Sequence, residues 1–111
     1  AAAAEGAVFA SQYAPDDSSD LVRNFISAFK TKYNREPIVF SALGYDTGTI
    51  LEEALKTSKD LSPASIRDAI AATNASNLIT GALKFDAERN PEKKVTFIEV
   101  KGGKLVLKEK L

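Results

Sequence analysis

Cysteine, histidine, methionine and tryptophan are all absent from this chain of 111 residues. Without cysteine there is no disulfide framework, no iron–sulfur cluster and no thiol nucleophile. Without histidine the commonest general base and the commonest zinc ligand are missing together. Charge of one sign is also lacking. Fifteen basic residues balance fifteen acidic ones, which argues against a nucleic-acid or acidic-membrane partner, since either favours a basic surface. No apolar run is long enough to span a bilayer, and the opening Ala1–Ala4 run has no basic flank to make it a signal peptide. That run reads as a linker or an arbitrary start, and a start without methionine reads as a processed chain or a piece of a longer one.

What is present is the composition of an ordinary folded domain, 44% hydrophobic and 27% charged, and the length allows one domain at most. Ala7–Ser11 is a short apolar run and predicts a buried strand. Tyr13–Asp20 carries turn chemistry, with Asp17 or Ser18 as the expected helix N-cap. Leu21, Val22, Phe25, Ile26, Phe29 and Tyr33 recur at helical spacing and predict an amphipathic helix that Asn34 ends. A second helix is expected from Ala42 or Leu43 to Lys56. Gly44 and Gly48 inside it each cost about 1 kcal/mol relative to alanine, which predicts close packing or close approach at those turns, or else a later helix start. Ser62-Pro63 opens a third, short helix with Ile66, Ala69, Ile70 and Thr73 on one side. After the polar break Asn74–Asn77 the period becomes alternating. Thr80–Phe85 and Val95–Val100 predict strands, Asp86–Pro91 a turn, and Gly102-Gly103 the two-residue loop of a hairpin completed by Leu105–Leu107. The tail Lys108–Leu111 is expected to be solvated or frayed.

Few of these residues can carry chemistry. Asp16, Asp17 and Asp20 are too few and wrongly spaced for a calcium loop, and helix capping accounts for them. The turn at Asp86–Asn90 lacks the glycine and distal glutamate of an oxygen-ligand loop. Glu52 and Glu53 point in different directions, unlike a glycosidase pair, and Glu52 faces Lys56 instead. The C-terminal lysines lack the interleaved aromatics of a single-strand platform and read as edge protection. Asn74-Ala75-Ser76 matches a glycosylation acceptor, a pattern so short that it recurs by chance. Phe40 and Tyr45, five residues apart among small side chains, either pack in a core or line the mouth of a small-molecule pocket. With no convergent carboxylates either, the chain is not expected to be an enzyme, and no metal or cofactor is expected.

Taken in order, six segments resemble one family. They are Gly6–Asp17, the helix ending Phe29-Lys30-Thr31-Lys32-Tyr33-Asn34-Arg35-Glu36-Pro37, Phe40–Asp46, the Ser65–Ile70 helix, Thr80–Asp86 and the Gly102-Gly103-Lys104 hairpin. Together they resemble the C-terminal third of the type I periplasmic substrate-binding proteins of branched-chain amino acid and amide ABC importers. The resemblance implies an α/β, partial type I fold: three helices, a short strand and a C-terminal β-hairpin. It implies that the helices and strand at about 18–86 come from the first of two lobes, and that the strand 7–11 and the hairpin 95–107 come from the second. It further implies a parent that binds an amino acid or amide solute, docks on an ABC permease and works in the periplasm, or outside the membrane on a lipid anchor. Phe40 would border the solute, with Tyr45 beside it and Tyr13 a further ligand-binding candidate.

Two departures qualify the resemblance. The segments that grip the solute's carboxylate and ammonium come earlier in the family than anything in this chain, and so do most strands of both sheets. The Asn74–Asn77 segment is also more polar than its family counterpart. The isolated chain is therefore expected to bind solute poorly and, with uncovered apolar faces, to be an oligomer or strand-swapped. The alternatives are a ligand-sensing domain of a receptor or regulator with the same fold, and a folding fragment without a function of its own.

Overall fold

A computed structural model describes residues 2–111. Its elements are β1 (Val8–Ser11), α1 (Asp20–Tyr33), α2 (Val39–Thr57), α3 (Pro63–Ala71), β2 (Asn74–Ala75), β3 (Leu83–Phe85), β4 (Pro91–Glu92), β5 (Thr96–Lys101) and β6 (Lys104–Lys110). Ala2–Ala4 form one 3-10 turn, and the first residue of the alanine run, read above as a linker, lies outside the described residues. Two compact units result. One takes the chain up to Ala42 with Lys94–Leu111, and the other is Leu43–Lys93. The fold class is the α/β one expected, with three helices, a short strand and a C-terminal hairpin.

The first unit is built on an antiparallel sheet in the order β1-β5-β6. Along β5 the alternation of the sequence becomes alternation of burial, with Thr96 and Ile98 turned inward. Ile98 is 1% exposed and lies opposite Phe9 on one side and Leu107 on the other. Gly102 and Gly103 have φ of 59° and 73°, the left-handed values that a two-residue hairpin loop requires. The Glu5 carboxylate accepts their N–H groups at 2.8 and 3.3 Å. The tail departs from expectation. Lys108–Lys110 belong to β6, and Val95 and Leu111 exchange two backbone hydrogen bonds of 2.8 and 2.9 Å. A ladder supplies partners for backbone groups whatever the side chains, so an exposed, charged tail still pairs.

Helix α1 starts one residue later than Ser18, and two later than Asp17, would place it. Ser19 is the N-cap, accepting from the Val22 N–H at 3.4 Å, while Asp17 accepts the N–H of Ser19 at 2.9 Å. Asn34 ends the helix at φ 50° as expected, donating its N–H to the Lys30 carbonyl. Of the six apolar positions on the predicted face, only Val22 and Phe25 are buried. The rings of Phe25, Phe29 and Tyr33 form a ladder, with centroids 5.8 and 4.6 Å apart, and Tyr13 meets Phe25 edge-on at 6.3 Å.

Helix α2 begins at Val39, three residues before the earliest expected start. The Ile38 carbonyl accepts the N–H groups of Ser41 and Ala42 at 2.9 and 3.2 Å, and the Ser41 hydroxyl accepts the Ile38 N–H at 3.2 Å. The side chain reaching back from the third position supplies half of a capping box, which a search for a polar N-cap residue misses. Within the second unit the helix carries Gly44 and Gly48, and a Cβ at either would meet nothing within 4 Å. The close packing predicted for them is therefore not present in this chain. Ser62 and Pro63 open α3 as expected, Ser62 accepting the Ser65 N–H at 3.3 Å, and Ile66, Ala69, Ile70 and Thr73 are all half-buried.

The small sheet of the second unit runs β2-β3-β4, all antiparallel. Asn74–Ala75, read as a polar break, is its first strand, and the expected Thr80–Phe85 strand begins only at Leu83. Gly81 at φ 95° turns the chain, and the backbone N–H groups just before it are committed elsewhere. The Asp86–Asn90 turn closes as expected, the Asp86 carboxylate accepting from the Asn90 backbone and side-chain amides at 2.7 and 3.0 Å.

Candidate functional site

The three residues singled out from the sequence have different surroundings. Phe40 stands on the first turn of α2 and is 74% exposed, and Tyr45, on the next turn, is 56% exposed. Rings left this open are not packed in a core. Positions five apart on a helix are separated by about 140° around its axis, so the two rings do not form one stripe. Tyr13, by contrast, is 6% exposed, in the first unit. Its hydroxyl is buried without a hydrogen-bond partner. Burial first, and then the charge of Glu36, push the phenol above its ordinary range.

The most organised polar cluster is one the sequence reading passed over. Asp46 is 4% exposed in the middle of α2. Its carboxylate accepts the Ile79 N–H at 2.7 Å, the Thr80 N–H at 2.9 Å and the Thr80 hydroxyl at 2.7 Å. Lys93 donates to the same hydroxyl oxygen. Burial holds the Lys93 ammonium below the ordinary lysine range, partly opposed by the nearby Asp46 charge. The signal that could have found the cluster is local. Aspartate has low helix propensity, so one in mid-helix, between Gly44 and Gly48, points to a partner elsewhere.

A cavity of about 600 Å³ lies in the second unit among α2, α3 and the 73–78 segment. Thr49, Glu53, Thr57, Thr73 and Asn74 put polar groups in a wall that is more apolar than polar, and the hydroxyls of Thr49 and Thr57 already donate to the carbonyls of Tyr45 and Glu53 at 3.2 and 2.9 Å. Neither Phe40 nor Tyr45 lines it. Among the described residues no three acidic side chains converge to hold a metal ion, and no helix is long and apolar enough to cross a membrane. The arrangement can offer exposed aromatic rings on a firmly anchored helix.

A family model described as periplasmic binding protein matches residues 1–104. The chain belongs to that family. Among solved structures of periplasmic binding proteins and their kin, a leucine binding protein from Thermotoga maritima is 28% identical, with a TM-score of 0.82 over 98% of this chain and 31% of its own. A branched-chain amino acid transporter substrate binding protein from Streptococcus pneumoniae, in complex with isoleucine, is 28% identical, with a TM-score of 0.75 over 94% and 30% of the two chains. A solute binding protein of an ABC transporter from R. palustris, in complex with benzoate, is 27% identical, with a TM-score of 0.80 over 97% and 30%. This chain thus spans about a third of the length of these relatives. No curated protein matches it.

Proposed function

We propose that this chain is the C-terminal third of a solute-binding protein that serves an ABC importer for branched-chain amino acids or related amino acids and amides. The observation that carries the reading is the family match over residues 1–104 together with a leucine binding protein among the structural neighbours. In the parent, Phe40 borders the solute, with Tyr45 the second candidate, which fits the exposure of both here; Tyr13, buried here, is the weakest of the three. The parent works outside the cytoplasmic membrane and delivers its solute to a permease. Its two lobes divide this chain: the helices and strand at about 18–86 go to the first lobe, and the strand 7–11 and the hairpin 95–107 to the second.

Alone, the 111 residues lack partners for the solute's charged ends and do not hold it. Leu51, Leu55 and Leu61 leave apolar surface open, so the isolated chain self-associates, which sedimentation at several concentrations measures. Calorimetric titration of leucine, isoleucine, valine, small amides and benzoate into the parent and into the isolated chain tests the rest. The parent is expected to bind a branched-chain amino acid, the isolated chain none, and Phe40→Ala in the parent to weaken binding about tenfold or more, as loss of a buried aromatic contact does. Binding by the isolated chain at the parent's affinity overturns the reading of a missing half-site. Binding of benzoate alone reassigns the solute class.

A further inference from the structure

The Asp46 cluster joins points of the sequence 33 and 34 residues apart through a buried carboxylate. Burying such a charge is costly, and an apolar pair of the same volume stabilises a fold as well or better. What a carboxylate adds is direction. Two successive backbone N–H groups and one hydroxyl, at 2.7 to 2.9 Å, fix both the height and the rotation of α2 at that turn. Thr80 gives its proton to Asp46 and receives one from Lys93, so the hydroxyl is held from both sides. The residue next to Asp46 is Tyr45, which is more than half exposed. A few degrees of rotation in α2 would move the tip of that ring by more than they move the backbone.

We propose that Asp46 is a positioning residue for solute recognition: through its clamp on Ile79 and Thr80, completed by Lys93, it holds Tyr45 in the orientation that meets the solute. The inference rests on the function proposed above. Its test is a double-substitution cycle in the full-length parent, read as the dissociation constant for leucine, isoleucine, valine or benzoate, whichever the parent binds best. Asp46→Asn keeps the size and replaces one accepting oxygen with a donor. It is expected to weaken binding about tenfold when Tyr45 is present and less than twofold in a Tyr45→Ala background, because contacts that act through one another are not additive.

A purely structural Asp46 would weaken binding equally in both backgrounds, or leave it unchanged while lowering the melting temperature, and either result overturns the proposal. Should Asp46→Asn fail to fold, Thr80→Val removes one of the three bonds, leaves both amide bonds in place, and is read in the same cycle. A parent that binds none of these solutes overturns the functional reading and the inference together, whereas binding without coupling overturns the inference alone.

Discussion

The two units are held by different forces. The first rests on a three-stranded ladder, a buried Ile98 and a chain of rings from Tyr13 through Phe25 and Phe29 to Tyr33. Many small, mutually supporting contacts carry it, and most are backbone bonds that no single side chain controls. The second has strands of only two or three residues, no buried residue in α3, and one buried carboxylate joining α2 to the Leu78–Thr80 segment. A unit with a thin core depends on its polar clamp. A unit with a ladder can lose any one polar group.

The largest effects expected from breaking this contrast come from a matched pair of substitutions. Phe25→Ala should cost the first unit about 3–4 kcal/mol, as deletion of a buried ring does. Asp46→Ala should cost the second about 3 kcal/mol, because Ile79, Thr80 and Lys93 all lose their buried acceptor or counter-charge. Denaturant unfolding measures both, and hydrogen exchange at the Ile79 and Thr80 amides identifies the second. A cost for Asp46→Ala well under that of an ordinary surface change would sink the account of the clamp.

Next in size is a gain. Tyr13→Phe removes a buried hydroxyl that has no partner and should stabilise the first unit by about 1 kcal/mol, seen as a higher melting temperature. The helix caps come third and should not tell the units apart. Ser19 and Ser62 cap α1 and α3 at 3.4 and 3.3 Å, so Ser19→Ala and Ser62→Ala should each cost about 1 kcal/mol. Unequal costs would show that one unit leans on its cap more than geometry suggests.

Alkaline pH gives the smallest effect, with opposite signs in the two units. Lys93 is held below its ordinary range by burial, against the Asp46 charge. The folded state therefore releases that proton first, and stability rises as pH climbs through the folded value toward the unfolded one. Tyr13 is held above its range by burial and by Glu36, so its contribution is present below the unfolded value and is lost as pH rises through the folded one. Between about pH 9 and 11, Lys93→Met should remove a rise and Tyr13→Phe a fall in stability. Urea midpoints of each variant against the parent chain measure the difference, and equal slopes would break the contrast.

Much of the fold was legible in the residues because its signals are local. Asn34 can take a left-handed φ, Ser62-Pro63 can open a helix, and Gly102-Gly103 can close a hairpin whatever surrounds them. Their expected roles all appear. Boundaries that depend on distant partners were not legible. The start of α2 depends on Ser41 reaching back to Ile38, the late start of β3 follows a segment already bonded to Asp46, and the tail pairs because β5 lies beside it. The candidate site divides in the same way. Phe40 and Tyr45 stood out as aromatics among small residues, and both are exposed. Asp46 carried only the weak sign of a poor helix former in mid-helix.

The sequence by itself determined the three helices, the hairpin and the family, though not the two-residue strands β2 and β4, because periodicity, caps and glycine turns act over a few residues. The tertiary structure alone decided that Tyr13 is buried while Tyr45 is open, that Gly44 and Gly48 have no close neighbour, and that Asp46 is the fixed point of the second unit. The physical reason is that burial and hydrogen-bond partnership are properties of pairs. No residue carries the identity of a partner 33 positions away.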